Sequence, residues 1–134
     1  MRAYVAVKFD KNQMHNPVIE MVKEVLLQRQ IVPIVFIEQY HFSMSEEREM
    51  MNKAMEEIDR CDLLIAETSV KGIGIGIEAG YAKGKNIPVI YLRHKGASHS
   101  STLSGLSDYQ IIYSDENDLS LKLNSTLECL LGKF

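Results

Sequence analysis

The chain has 134 residues, 46% of them hydrophobic and 25% charged, which is typical of one globular domain, here taken as 1–134. Its formal net charge is −3 and it has no Lys/Arg-rich run, which argues against a nucleic acid polymer as partner. The longest apolar run, 31–37, is too short to span a membrane, and the chain opens directly in a strand-like pattern, so we expect a cytoplasmic protein.

The cysteines and histidines form no pattern of the kind that binds metals. Cys61 and Cys129 are far apart in the sequence, and the four histidines show no HxxxH or HExxH spacing. We therefore expect no metal and no cofactor, and we interpret both thiols as small buried side chains.

In chain order, the first half of the sequence predicts two strands and two helices. A strand over 3–9 ends in Lys8 and Phe9, and a helix with Pro17 in its first turn continues to residue 29. A second strand covers 32–37. A second helix covers 45–60, opened by a capping box from Ser43 to Glu46. One stripe of this helix carries Met51, Met55 and Ile58. Such a stripe usually packs in a core, and contact with a second subunit is the alternative.

The second half continues the alternation of strands and helices. Strands are predicted over 62–67, 88–92 and 110–113, with helices over 77–84 and 117–131, the last ended by Gly132. The strands are almost continuously apolar, as expected when both faces of a parallel sheet are covered. The pattern predicts a three-layer α/β fold, flavodoxin-like or Rossmann-like, with five parallel strands in the order 2-1-3-4-5.

A glycine-rich stretch follows the third strand. In open α/β sheets, ligands bind beyond the carboxyl ends of the strands where the strand order reverses, here after the first and third strands. Gly72, Gly74 and Gly76 are expected to adopt positive φ and expose backbone N–H groups to a ligand, while the three isoleucines between and after them anchor the loop. A tight strand-to-helix connection is the alternative interpretation.

Glu78 comes directly after these glycines, in the first turn of the predicted helix. There the helix dipole and the free N–H groups would keep the carboxylate ionised, so it could act as a nucleophile beside the ligand. The alternative is that an acidic residue in a first turn simply stabilises the helix.

The segment from Asp62 to Leu92 resembles the central signature of the nucleoside 2-deoxyribosyltransferase superfamily, and it is most similar to the 2′-deoxynucleoside 5′-phosphate N-hydrolase branch. The similarity lies in "CDLLIAE", in "GIGIEAGYA" and in "KNIPVI". Members of this superfamily cleave or exchange the N-glycosidic bond of deoxynucleosides or their monophosphates. The resemblance implies that Glu78 is the nucleophile, that Tyr4 approaches the sugar, and that Ser100 contacts a 5′-phosphate across a homodimer interface. The alternatives are that Tyr4 is a core residue of its strand and that Ser100 lies in a solvated surface loop.

The chain also departs from that family in three places. Gly72 stands where the branch has a serine, and Ala54 stands where the family has an assisting aspartate. Three residues are possible replacements for that carboxyl group: Asp10, Glu38 and His41. The small residues often found after the first strand are replaced by Val7, Lys8 and Phe9, which narrow the pocket and add a positive charge. Lys8 could attract a phosphate, and pairing with a surface acid is the alternative.

The leading hypothesis is an enzyme, an N-glycosidase or deoxyribosyltransferase, that acts on a small nucleoside or, by preference, a nucleoside 5′-monophosphate. Its proposed catalytic residues are Glu78, Tyr4 and Asp10, and its proposed binding residues are Lys8, Phe9, Gly72, Gly74, Gly76 and Ser100. The alternative is a nucleotide-binding or sensing module that kept the crevice but lost the chemistry, as Ala54 and Gly72 would permit. A flavodoxin-like electron carrier is disfavoured, because no Trp or aromatic pair is available to stack on a flavin near the expected loops.

Overall fold

The computed structural model describes residues 1–8 and 16–132, so Phe9 and Asp10 lie outside the described residues. The strands are β1 (Arg2–Val7), β2 (Val32–Val35), β3 (Leu63–Glu67), β4 (Val89–His94) and β5 (Tyr109–Tyr113). The helices are α1 (Pro17–Gln28), α2 (Phe36–Gln39), α3 (Glu47–Asp59), α4 (Ile73–Gly84), α5 (Ser101–Leu106) and α6 (Glu116–Leu131), with a 3₁₀ turn at Met44–Glu46 before α3.

The five strands form one parallel sheet in the order β2-β1-β3-β4-β5, which confirms the predicted topology. The central strands β1 and β3 pair from Ala3 with Leu63 to Val7 with Glu67. Every residue of β3 is buried, as its continuous apolar run predicts for a strand covered on both faces.

The helices cover the two faces of the sheet and create two hydrophobic cores. On one face, α1 and α6 pack against the sheet and each other through residues such as Val22, Leu26 and Leu123. On the other face, α3, α4 and α5 pack over Tyr4, Leu64 and Tyr91. This second face contains the glycine-rich segment. Cys61 is buried as predicted, but Cys129 is exposed on α6, so that prediction was wrong for it.

Two helix starts follow the predicted sequence signals. Asn16 caps α1 by accepting hydrogen bonds from the N–H groups of Val18 and Ile19, with Pro17 at the first helical position. The capping box between Ser43 and Glu46 is present, although it opens the 3₁₀ turn rather than α3 directly.

The predicted second strand was too long, and two short helices, α2 and α5, were not predicted. The chain leaves the sheet after Val35, where Phe36 begins the short helix α2. The ring of Phe36 packs on the ring of Tyr4. The helix α5 is six residues long and contains a glycine, so its sequence is too short to show the periodicity from which a helix is predicted. In the described part of the chain, no helix is both long and apolar enough to cross a membrane.

Candidate active site

The candidate site lies where β1 and β3 end side by side. Lys8 follows β1, and residues 68–72 lead from β3 into α4. Since both strands run in the same direction, their carboxyl ends share one edge of the sheet, with α4 beside them. This is the ligand-binding edge that the strand order predicts.

The helix α4 begins four residues earlier than predicted, which changes the setting of Glu78. Its first residue is Ile73, so Gly74 and Gly76 lie within the helix and Glu78 is its sixth residue, in the second turn. Across residues 1–8 and 16–132 no glycine has a positive φ. The predictions that these glycines form a positive-φ loop and that the helix terminus ionises Glu78 were therefore wrong.

The isoleucines of this segment do not all anchor it to the core. Ile75 is buried, but Ile73 is 86% exposed and Ile77 is 52% exposed. In a helix, residues two positions apart point in different directions. Ile75 therefore faces the sheet, while Ile73 and Ile77 face outward. Only Ile75 has the anchoring role that the sequence predicted for all three.

Tyr4 and Glu78 are joined by a short hydrogen bond, in which the tyrosine hydroxyl donates to Oε2 of the glutamate. Tyr4 is fully buried in β1, and its ring is fixed between the sheet and Phe36. The half-buried Glu78 is thereby held at the junction between α4 and β1. The structure brings together the two residues that the resemblance placed at the sugar.

Burial sets the proton affinity of both groups. The pKa of Glu78 is raised above its ordinary value because burial removes water from the carboxylate, and the hydrogen bond from Tyr4 opposes part of this rise. The pKa of Tyr4 is raised strongly, first by burial and then by the negative charge of Glu78. Tyr4 therefore stays protonated and acts as a permanent donor to the carboxylate.

Glu78 forms part of the wall of a cavity of about 800 Å³, here called the glutamate cavity. Most of its lining is apolar or aromatic, including Phe36, Tyr40, Phe42, Met50, Met51, Ala54 and Ile75. The three aromatic rings pack on one another, with Phe36 and Tyr40 at a centroid distance of 4.9 Å. Such a wall suits a flat, partly apolar ring system.

A second cavity of about 620 Å³, here called the lysine cavity, lies on the other side of the start of α4. It is polar, and its lining includes Lys8, Thr68, Lys71, His99, Ser100 and Thr102. Lys8, Gly72, Ile73 and Ile75 line both cavities, so these are two parts of one crevice. Lys71 thus lies at one end of the crevice and Glu78 at the other, with Lys8 where the two parts meet.

Two glycines have identifiable steric roles in this crevice. A Cβ added to Gly72 would lie 3.1 Å from Cδ of Lys8, so the glycine leaves room for the lysine stem. A Cβ added to Gly74 would lie 4.0 Å from Oε1 of Glu78, so the glycine leaves that oxygen uncovered. For Gly76, an added Cβ would meet nothing within 4 Å.

The remaining predicted residues divide between the two ends of the crevice or fall outside it. Ser100 lines the lysine cavity and caps α5, where its hydroxyl accepts from the N–H of Leu103. His41 lines the glutamate cavity, whereas Glu38 instead forms an ion pair with Lys23 at 2.9 Å. Phe9 and Asp10 lie outside the described residues. In the described part of the chain, no cluster of three or more His, Cys, Asp or Glu residues could hold a metal ion.

Sequence reasoning did not assign a role to the aromatic wall or to Lys71. Phe36, Tyr40 and Phe42 follow β2, so their position after a parallel strand was a signal that they reach the ligand edge. Lys71 comes directly before the glycine-rich segment, which was a comparable signal.

The chain is an α/β protein with a crevice at the reversal of strand order, and comparisons with known proteins narrow this class. No protein-family model matches the chain. A protein of Syntrophotalea carbinolica, provisionally named 2′-deoxynucleoside 5′-phosphate N-hydrolase 1, is 50% identical over 40 residues, which cover 30% of this chain and 28% of that protein. A protein of Thermofilum pendens with the same provisional name is 29% identical over 85 residues, covering 60% of this chain and 59% of that protein. The matches thus span less than two thirds of either relative.

Solved structures share the fold over almost the whole chain. The CMP N-glycosidase of Clostridium botulinum has a TM-score of 0.71 at 22% identity, covering 94% of this chain and 99% of that one. A 2-deoxyribosyltransferase of Bacillus psychrosaccharolyticus has a TM-score of 0.69 at 16% identity, covering 90% of each chain. Sequence and fold together support the nucleoside 2-deoxyribosyltransferase superfamily for this chain, which confirms the predicted relationship.

Proposed function

We propose that the chain cleaves the N-glycosidic bond of a nucleoside 5′-monophosphate, with Glu78 as the nucleophile. The observation that carries this proposal is the carboxylate of Glu78, held by Tyr4 at the wall of an aromatic cavity. The relatives named as N-hydrolases, an N-glycosidase and a deoxyribosyltransferase support the same reaction class. Transfer to a second base in place of water belongs to this class as well.

In the proposed first step, an Oε atom of Glu78 bonds to the anomeric carbon while the bond from that carbon to the base nitrogen breaks. The electron pair of the broken bond stays on the base, which takes up a proton. In the second step water attacks the anomeric carbon and gives up one proton to a basic group, while the bond from that carbon to Oε breaks. The sugar is released and Glu78 returns as a carboxylate. Tyr4 fixes the carboxylate and stabilises its charge by donating a hydrogen bond.

The charges at the other end of the crevice favour a monophosphate over a nucleoside. Lys8 and Lys71 line the lysine cavity, together with the hydroxyl-bearing side chains of Thr68, Ser100 and Thr102. Ammonium and hydroxyl groups are suitable donors to phosphate oxygens. We therefore place the base in the glutamate cavity and the 5′-phosphate in the lysine cavity, with the sugar between them beside Gly72 and Gly74.

We also propose a homodimer, as the resemblance implies. The helix α4 presents Ile73 and Ile77 to solvent one turn apart, at 86% and 52% exposure. Two large apolar side chains on one exposed helix face are typical of a surface that a partner covers. Light scattering after size exclusion should give about twice the chain mass of 15.2 kDa. The variant Ile77→Glu should shift the protein toward monomer.

The second candidate is a nucleotide-binding module without turnover. Ala54 is the observation that favours it, because the glutamate cavity has only a methyl group where the family has an assisting aspartate. Such a module would bind nucleotide in the same crevice and release no base.

One experiment separates the two candidates. The protein is incubated with the four deoxynucleoside 5′-monophosphates, their ribose counterparts and the parent nucleosides, and free base is measured by chromatography. Nucleotide binding is measured in parallel by calorimetry, for the wild type and for Glu78→Gln. Glu38→Gln serves as the matched control, since Glu38 lies outside the crevice and pairs with Lys23.

For the enzyme, we expect base release by the wild type and by Glu38→Gln, and binding without release by Glu78→Gln. Binding without release by all three proteins would support the module instead. If the folded wild type neither binds nor cleaves any of these compounds, both candidates are wrong.

A further inference from the structure

The proposed reaction leaves one group unassigned, which is the donor of the proton to the departing base. A neutral base is a poor leaving group unless its nitrogen is protonated as the glycosidic bond breaks. Ala54 lines the glutamate cavity at 2% exposure and offers only a methyl group, so it cannot donate. Another side chain in the same cavity has to supply this proton.

Among residues 1–8 and 16–132, the ionisable side chains that line the glutamate cavity are Lys8, Tyr40, His41 and Glu78. Glu78 forms the bond to the sugar and cannot protonate the base on the opposite side of the same carbon. Lys8 also lines the lysine cavity, on the side assigned to the phosphate. Two side chains near the base remain, Tyr40 and His41.

The ring of Tyr40 is held by its packing. The centroid of its ring lies 4.9 Å from that of Phe36. The Nζ atom of Lys53, a residue of α3, lies 5.5 Å from the same Tyr40 centroid. The rings of Tyr40 and Phe42 also line a shallow surface hollow with Asn52 and Lys53, away from Glu78. A phenol releases its proton far less readily than an imidazolium ion.

His41 differs from its two aromatic neighbours in its surroundings. Tyr40 has extended backbone, with φ −128° and ψ 139°, and in an extended chain successive side chains point to opposite sides. His41 lines the glutamate cavity and does not line the surface hollow. It is exposed, and its imidazole has no hydrogen-bond partner among the described residues, so it can contact a ligand.

We propose that His41 is the catalytic acid that protonates the leaving base, in place of the carboxyl group absent at Ala54. This inference rests on the proposed function. As the glycosidic bond breaks, its electron pair moves to the base nitrogen and the imidazolium N–H proton follows. In the hydrolytic step, the neutral imidazole accepts a proton from the attacking water, which restores the imidazolium ion and frees Glu78 as a carboxylate.

The test compares two substrates that differ in their need for a proton. The first is 2′-deoxyguanosine 5′-monophosphate, and the second is its N7-methyl derivative, whose cationic base departs without further protonation. Turnover of both is measured for the wild type, for His41→Asn and for the control Glu38→Gln. Thermal unfolding of each variant establishes that it is folded.

A proton donor is worth about 10²–10⁴-fold in rate. We therefore expect His41→Asn to lose at least about 100-fold in kcat on the first substrate and less than about 10-fold on the N7-methyl derivative. Equal losses on both substrates would show a structural or binding role and overturn the proposal, as would an unchanged rate on the first. In either case the proposed function would stand, whereas a wild type that cleaves neither these two nucleotides nor any other would overturn both.

Discussion

The hydroxyl of Tyr4 donates a hydrogen bond to Oε2 of Glu78, joining the first strand of the sheet to the second turn of α4 across 74 positions of sequence. The bond links a fully buried donor to a half-buried carboxylate at the wall of a cavity. Burial raises the pKa of this carboxylate, while the donor opposes the rise. The proton affinity of Glu78 depends on that balance.

The first prediction concerns the acidic limb of the pH–rate profile. In Tyr4→Phe the carboxylate loses a hydrogen bond that favours its ionised form, so the pKa of Glu78 should rise further. If Glu78 is the nucleophile, as proposed, it has to be ionised, so the fall of kcat/KM at low pH should begin at a higher pH than in the wild type. The loss at neutral pH should be about 10-fold or more, since a charge-assisted hydrogen bond is worth about 1.5–3 kcal/mol.

The matched control for that experiment is Tyr81→Phe, which removes a tyrosine hydroxyl bonded to Asp59 on the outer side of α4. Its pH profile should coincide with that of the wild type. An unshifted profile in Tyr4→Phe would show that the bond does not control the ionisation of Glu78.

The second prediction concerns stability as a function of pH. Since the pKa of Glu78 is raised in the folded chain above its ordinary value of 4.5, folding favours the protonated carboxyl group. That contribution is complete below the ordinary pKa and is lost as the pH rises through the raised pKa. Glu78→Gln removes the titration, so its Tm should exceed that of the wild type at pH 8, and the difference should shrink toward pH 4. A 1 kcal/mol difference corresponds to about 4 °C in a chain of this size.

The outcome that contradicts this prediction is a Tm difference that stays constant with pH. In that case Glu78 would have the same proton affinity in the folded and unfolded chain. Calorimetric scans at pH 4, 6 and 8 are sufficient to distinguish the two results.

The third prediction concerns the space that Gly72 leaves for Lys8. Alanine at this position would place its Cβ 3.1 Å from Cδ of the lysine, so the lysine stem has to move. If Lys8 binds the phosphate, Gly72→Ala should raise the KM for a nucleoside 5′-monophosphate several-fold. The KM for the corresponding nucleoside should change little.

Gly80→Ala provides the control, because an added Cβ there meets nothing within 4 Å and Gly80 lines neither cavity. This substitution in the interior of α4 should stabilise the fold by about 0.5–1 kcal/mol and leave both KM values unchanged. Equal effects of Gly72→Ala on nucleoside and monophosphate would contradict the assignment of the lysine cavity to the phosphate.

The fourth prediction concerns a buried carboxylate outside the crevice. Glu67 at the end of β3 is 3% exposed and accepts hydrogen bonds from the hydroxyl of Tyr113 and from Ser69. Tyr113→Phe leaves this buried group short of one donor, which should lower the free energy of unfolding by about 1–3 kcal/mol. Urea unfolding measures the change. Removal of the exposed hydroxyl of Tyr81 should cost less than about 0.5 kcal/mol.

The sequence alone was enough to establish the architecture and the edge of the sheet where the crevice lies. Apolar runs such as 62–67 and 88–92 predict strands covered on both faces, and the right-handed crossover rule leaves few possible strand orders. The observed order β2-β1-β3-β4-β5 follows from these local signals. The position of Glu78 after the third strand was fixed by the same reasoning.

Only the tertiary structure decided where α4 begins and what surrounds its glutamate. The segment from Gly72 to Gly76 has no capping side chain, so its local sequence favours neither helix nor loop. Ile75, Ala79 and Ala82 pack against the sheet, and this packing extends the helix through Gly74 and Gly76. As a result, Glu78 lies away from the helix terminus and in contact with Tyr4. Likewise, Glu38 and His41 lie only three positions apart after β2. With the chain turning through α2, Glu38 pairs with Lys23, whereas His41 lines the glutamate cavity. Contacts between residues distant in sequence decide where α4 begins and what these side chains touch, because the local conformational propensity of these segments is weak.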